Sequence, residues 1–351
     1  MGRRITDATS LMAATDGLAA LGRLDGASIV SALDLSRAEL IELFRIAAQL
    51  QVGRLRAPTA LRGKIVLTAF FEPSTRTRLS FESAAHRLGA AVMSIPDARF
   101  TSVHKGESLA DTGVMFNAYA DVVVLRHTDE RSVDLIRAIG MTVPLINGGN
   151  GRAEHPTQAM GDWYALVKWR PELADDDPPA ARRISLCVLG TPRTMRSLRS
   201  FVGMAVARFP RALRELTIVS DDPAPLGPEL EAAIAAAGVP CAVTAQLDRH
   251  VSRFDVIYQN SLTLVGDAYH VSGEQYKLSR DTPLKQDAVV MHPLARQAEL
   301  DTDLDDTQHN LYFDQAEGAV FVRQALLLAL LGRLSHAVAG RSERAAQRRM
   351  A

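Results

Sequence analysis

Two series of short β-branched segments, separated by stretches with helical apolar spacing, constrain the fold of this 351-residue chain more than any other feature. In the first series GKIVLTAF (63 to 70), AAVMSI (90 to 95), DVVVLRH (121 to 127) and VPLIN (143 to 147) read as buried strands. Helical spacing follows Arg76 and Glu107. The second series begins after the polar, proline-bearing ELADDDPPAARR (172 to 183) and comprises ISLCVLG (184 to 190), LTIVSDD (216 to 222), FDVIYQN (254 to 260) and DAVVMHPL (287 to 294). Strand–helix–strand alternation demands crossover connections and parallel pairing, so the expected class is α/β: two doubly wound α/β domains, each with a mostly parallel sheet. The length agrees, being too great for one ordinary core. The expected organisation is a poorly ordered extension (1–25), a first domain (26–165), a second domain (166–310) and a tail (336–351). WYALVKWR would cross between domains as a helix, and the last helix (311–335) would return to complete the first domain.

Charge narrows the function classes. Lys plus Arg number 40 and Asp plus Glu number 40, so no global field draws the chain toward nucleic acid or an anionic membrane, and any anion site must be built locally. No run reaches the ~18 apolar residues of a membrane span; Ala319 to Leu331 is interrupted by Arg323 and Gln324. The N-terminus lacks the apolar core of a secretory signal, which leads us to expect a cytoplasmic protein. MGRRIT fits the loose myristoylation pattern, which arises often by chance and is discounted. Cys187 and Cys241 sit in apolar segments without metal-like spacing and are expected to be buried free thiols; no metal site and no cofactor are expected.

In open parallel sheets ligands bind beyond the carboxyl ends of the strands, and there the unusual residues fall. The cluster in FFEPSTRTRLSFESA (70 to 84) follows the first strand, RHT the third and NGGNGRAEHPTQ the fourth. GTPR, YQNS and MHPLAR occupy matching places in the second half, so an active site in a cleft between the domains is expected. Pro73 suits the start of a helix, and Ser74, Thr75 and Thr77 place hydroxyls beside unpaired backbone N–H groups, with the charge of Arg76 added. A helix cap needs one hydroxyl rather than three, which points to an oxyanion site. The glycine-rich nucleotide loops are absent.

FFEPSTRTRLSFE resembles the carbamoyl-phosphate signature of the aspartate and ornithine carbamoyltransferases, its Glu-Pro form the aspartate branch. HKGESLADT (104 to 112), VLRH (124 to 127), HPTQ (155 to 158) and MHPLARQAELDTDLDDTQHNLYFDQAEGAVFVRQALL (291 to 327) agree in order and spacing. The likeness spans roughly Ala27 to Leu331. It implies carbamoyl transfer from carbamoyl phosphate to a primary amine, without metal or covalent enzyme intermediate. It also implies that Ser74, Thr75, Arg76, Thr77 and Arg126 hold the phosphate, and that His155 donates to the carbamoyl oxygen. Gln158 and the backbone carbonyls of Pro293 and Leu294 would accept from the carbamoyl NH2. Thr101 and Lys105 would reach a neighbouring subunit's site, since the family's catalytic unit is a trimer. Glu72 would supply one half of a domain-closing latch.

The acceptor half departs from the aspartate pattern. Arg193 in GTPRTMRSL matches an α-carboxylate ligand, reached through a loop shorter than the family's. At the Arg-x-Gln side-chain clamp, however, stand Ser261 and Thr263, and about Gly266 replaces a further closing arginine. Losing one charged partner costs a few kcal/mol, roughly a hundredfold in affinity. Ala295 stands where the family has the proline of a cis Leu-Pro bond, which leaves a non-proline cis bond or a trans turn. Asn150 and Glu154 replace Asp and Gln; Glu154 either faces a cationic acceptor or is a solvated loop residue. Pro293 stands where ornithine carbamoyltransferases carry a cysteine, which argues against that branch. The expectation is therefore an acceptor other than plain aspartate: a diamino acid such as 2,3-diaminopropionate or ornithine, or a specialised-metabolite amine. The alternatives are aspartate carbamoyltransferase itself, with Arg253 or Arg296 filling in, and a silent paralogue with a structural role.

Overall fold

In the computed structural model of the chain, residues 6–12, 20–247, 251–260, 276–335 and 337 are described in full, and 262–265 and 268–271 as backbone. The chain divides into two compact units, Ala8–Met160 with Gly318–Ala351, and Met1–Asp7 with Gly161–Glu317.

The first unit opens with helix α1 (Arg37–Gln51), started by a capping box in which Ser36 and Glu39 satisfy each other's backbone N–H groups. Arg23 reaches Glu39 at 2.8 Å, and Leu21 and Leu24 are fully buried. Residues 20–25, expected to be a loose extension, are thus packed, because two leucines reach the core and one arginine finds a carboxylate. Then follow β1 (Ile65–Phe70), α2 (Thr75–Arg87), β2 (Ala91–Ile95), α3 (Leu109–Tyr119), β3 (Val122–His127), α4 (Ser132–Arg137) and β4 (Leu145–Asn150). The four strands form one parallel sheet in the order β2-β1-β3-β4. β2 was expected to be buried; it lies at the sheet edge and its residues are partly or fully exposed. β4 runs three residues beyond VPLIN, through Gly148 and Gly149.

Helix α5 (Pro156–Trp169) begins in the first unit and ends in the second. The second unit contains β5 (Ile184–Leu189), α6 (Arg196–Arg208), β6 (Leu213–Val219), α7 (Pro228–Ala237), β7 (Cys241–Thr244), β8 (Val256–Gln259), β9 (Leu262–Val265), β10 (Ala268–Val271) and β11 (Val289–Met291). Five strands pair in parallel in the order β11-β8-β5-β6-β7, and β9 and β10 form a separate antiparallel pair. β7 and the β9–β10 pair were not anticipated. Cys187 is buried in β5, but Cys241 is exposed on the edge strand β7, which has a strand on one flank alone among the described residues. Trp163 stacks on Phe209 with ring centroids 4.1 Å apart, anchoring the aromatic part of this core.

The last helix, α8 (Tyr312–Leu330), passes from the second unit to the first. Ala325 through Leu330 are all buried, as in a helix surrounded by protein. Within the first unit its Arg323 bonds the Ser80 hydroxyl and lies 4.9 Å from the Phe81 ring centroid, which joins α8 to α2. Among the described residues no helix is long and apolar enough to cross a membrane.

Candidate active site

Strand order locates the first part of the site. The chain leaves β1 for β2 on one side and later returns to place β3 on the other, so the switch point lies between β1 and β3. In the register of this pair Phe70 faces Arg126, and Phe71 N–H donates to the Arg126 carbonyl at 2.8 Å. Two residues on, Glu72 accepts from the Arg126 guanidinium at 2.6 Å, with both side chains about one-tenth exposed. The sequence reading assigned these residues to separate tasks; the register brings them together.

α2 then begins with Ser74 as N-cap in an extended conformation, yet the Ser74 hydroxyl makes no capping bond. Pro73 precedes the cap instead of opening the helix. Thr75 and Arg76 are exposed, and no ion pair engages Arg76 among the described residues. The surrounding protein still desolvates its guanidinium enough to lower its pKa from the ordinary arginine value. The helix start therefore presents hydroxyls, backbone N–H groups, a positive dipole end and a cation.

Thr77, one turn in, is buried, and its hydroxyl lies 3.2 Å from Nε2 of buried His155. His155 directly precedes Pro156, the first residue of α5, and its carbonyl accepts from Gln158 and Ala159 N–H. Gln158 is half-buried in the first turn. His127, at the end of β3, takes Asp129 N–H on Nδ1 at 2.9 Å. Burial lowers its pKa, against the raising influence of Asp129 and Glu72. After β2, Thr101 joins two consecutive 3-10 turns and Lys105 ends the second; the Thr101 hydroxyl donates to the Ala98 carbonyl, and Lys105 is exposed.

Glu154, partly buried, is tied down by hydrogen bonds within the unit. Its carboxylate accepts from the Ser31 hydroxyl and from Ala32 N–H, each at 2.7 Å. Asn150 is likewise structural, bonded to Asn147 at 2.8 Å and to the Glu130 carbonyl.

In the second unit the switch point lies between β5 and β8. β5 is followed directly by Gly190, whose φ of +125° suits glycine, and a Cβ there would collide with the Asn260 carbonyl after β8. Arg193 follows and pairs with Asp222 at 2.6 Å, half-exposed. Ser261 and Gly266 lie outside the described residues, and Thr263 is described as backbone within β9. Both proposed substitute arginines are engaged by other partners. Arg253 precedes β8, at its amino end, beside Thr217 and Glu215. Arg296 is clamped by Asp305 through both guanidinium nitrogens and lies over the Tyr312 and Phe313 rings. Pro293 and Leu294 follow the end of β11, with a bend at Leu294. The Leu294–Ala295 peptide is cis, and Leu294 has φ +52°.

The sequence reading gave no role to His292 and Glu299, which face each other at 3.0 Å with fully buried side chains. Their signal was weak: a histidine before a proline, and an acid among the other polar residues of RQAELDTD (296 to 303). Among the described residues no cluster of three or more His, Cys, Asp or Glu is arranged to hold a metal ion.

Residues 27–168 match the model of the aspartate/ornithine carbamoyltransferase carbamoyl-phosphate-binding domain, and residues 215–330 match the Asp/Orn-binding domain of the same enzymes. The chain belongs to the aspartate/ornithine carbamoyltransferase family. It is accordingly a carbamoyltransferase. The aspartate carbamoyltransferase catalytic subunit of Pyrobaculum calidifontis is 37% identical over 314 residues, covering 87% of this chain and 98% of that one. The catalytic subunit of Thermococcus kodakarensis is 34% identical, covering 88% and 97%. Among solved structures, Trypanosoma cruzi aspartate transcarbamoylase in complex with carbamoyl phosphate and aspartate superposes with a TM-score of 0.76 at 30% identity, over 89% of this chain and 98% of that one.

Proposed function

We propose that this carbamoyltransferase takes its carbamoyl group from carbamoyl phosphate at the α2 helix start and transfers it to the amine of aspartate. The observation that carries the donor assignment is the start of α2, where the Ser74 hydroxyl makes no cap and Arg76 has no ion pair among the described residues. In this reading Ser74, Thr75, Arg76 and Thr77 bind the phosphate through hydroxyls, N–H groups and one cation. Arg126, beside them at the switch point, turns from Glu72 toward the same dianion.

His155 donates to the carbamoyl oxygen, where negative charge grows as the amine attacks. One fixed donor of this kind contributes about 3 kcal/mol. Gln158 and the Pro293 and Leu294 carbonyls accept from the NH2 group and fix the carbonyl face presented to the nucleophile. The neutral amine bonds to the carbonyl carbon, the C–O bond to phosphate breaks as the tetrahedral intermediate collapses, and the departing phosphate takes the amine proton. Arg193 binds the acceptor's α-carboxylate. Thr101 and Lys105 serve a neighbouring copy in a homotrimer, and the enzyme works in the cytoplasm.

Two observations favour a second reading with another amine: Asp222 already pairs with Arg193, and Ser261 stands at the side-chain clamp. Glu154 lends that reading nothing, being consumed by Ser31 and Ala32. Phosphate release from carbamoyl phosphate over aspartate, ornithine and 2,3-diaminopropionate decides. Aspartate as the best acceptor supports the first reading; negligible release with aspartate and rapid release with a diamino acid would replace it with the second.

A further inference from the structure

Glu299 carries a charge in the interior of the second unit, and the proposed chemistry gives it no direct contact with substrate. We propose that Glu299, acting through His292, is a positioning residue that sets the Pro293 and Leu294 carbonyls for the carbamoyl NH2 group. The inference rests on the donor-site reading above.

The hydrogen bonds define the arrangement. Leu294 N–H donates to His292 Nδ1 at 2.9 Å, so that nitrogen carries no proton and the neutral ring must hold its hydrogen on Nε2. Nε2 faces Glu299 Oε1 at 3.0 Å, and both side chains are fully buried. Burial opposes the Glu299 charge, but the bond from His292 and the Gln297 N–H, 3.0 Å from both oxygens, hold its pKa below the usual carboxylate value. The Glu299 backbone is itself seated, since its carbonyl accepts from Leu278 N–H and from the Gln259 side chain at the end of β8.

A second chain of bonds holds the other side of the turn. His292 N–H donates to Gln315 Oε1 at 3.1 Å, and Gln315 donates to Asp162 at 2.6 Å. Asp162, wholly buried, also takes the Tyr258 hydroxyl at 2.8 Å. The backbone N–H groups of His292 and Leu294 are thus both fixed, by partners that lead to two buried carboxylates. Leu294 needs this restraint, for its φ of +52° is a conformation that side chains with a Cβ disfavour. Burying a carboxylate with a neutral hydrogen-bond donor adds little stability over a well-packed apolar pair. Fixing the tautomer of His292, and with it the direction of the neighbouring carbonyls, is a task that an apolar pair would not perform.

Titration calorimetry on the full chain distinguishes positioning from general support, because inorganic phosphate lacks the NH2 group that the turn would read. Glu299→Ala should weaken carbamoyl phosphate binding about tenfold and leave inorganic phosphate binding as in wild type. Glu299→Gln keeps an oxygen for His292 and should recover most of the loss. Should Glu299→Ala fail to fold, Glu299→Gln still tests the idea through a smaller loss confined to carbamoyl phosphate. Equal weakening of both ligands, or of neither, would overturn the proposal. So would nitrogen NMR placing the His292 proton on Nδ1 in the wild type. Wild-type protein that binds inorganic phosphate but not carbamoyl phosphate, with the Nε2 tautomer present, would instead remove the donor-site reading.

Discussion

Removing Glu72 tests whether Arg126 is held ready for a dianion. The two side chains face each other at 2.6 Å and are each about one-tenth exposed. Deleting one partner of a buried pair costs about 3–5 kcal/mol, and the residual exposure places this pair near 3 kcal/mol. At roughly 2–4 °C per kcal/mol for a unit of this size, Glu72→Ala should melt roughly 6–12 °C below wild type in ligand-free buffer. Phosphate at a hundredfold excess over its Kd stabilises the native state by ~2.7 kcal/mol when it meets no competitor. In wild type part of that gain is spent displacing Glu72 from Arg126; in Glu72→Ala it is not. Differential scanning calorimetry with and without phosphate should therefore show a larger upward shift for the variant, with Glu72→Gln between the two. Equal shifts in both proteins would mean that Arg126 does not meet the phosphate, and a variant that melts like wild type would mean that the pair contributes nothing.

Two further outcomes are expected. His155→Ala should lower kcat by about 10²–10³ while inorganic phosphate binding stays near wild type, measured by steady-state kinetics and calorimetry; an unchanged kcat would remove His155 from the oxyanion. His127, whose pKa is lowered by burial, takes up a proton less readily when folded than when unfolded. Below its unfolded value of about 6.5 the unfolded chain binds more protons, so stability is full above that pH and falls as pH drops toward the folded pKa. His127→Asn offers an oxygen to Asp129 N–H and should flatten that slope in urea titrations; a slope identical to wild type would refute the assignment.

Much of this was legible in the sequence because it is local. Ile65–Phe70 and Val122–His127 announce themselves as β-branched runs, and the hydroxyls and arginine from which an anion site was expected follow a strand and open a helix, as their local pattern implied. The misses are non-local. The carboxylate of Glu154 finds its partners 122 and 123 residues away at Ala32 and Ser31, so a position that read as a choice between solvent and ligand proved to be a tether. The Glu72–Arg126 pair depends on register between β1 and β3, which alternation predicts in kind but not in residue pairs. Cys241 and β2 were expected inside because their segments are apolar, yet both are at sheet edges, and edge position is a property of strand order. The β9–β10 pair is interrupted in sequence by Gly266-Asp267, a hairpin signal in a segment that was read only for its clamp positions.

Calorimetric titration of carbamoyl phosphate into wild type and Arg76→Ala addresses the donor site without reference to any acceptor. Wild type should bind, and the variant, deprived of the one cation at the α2 start without an ion pair among the described residues, should bind roughly a hundredfold more weakly. Equal affinity in the two proteins, or no binding by wild type, would contradict a phosphate site at the start of α2.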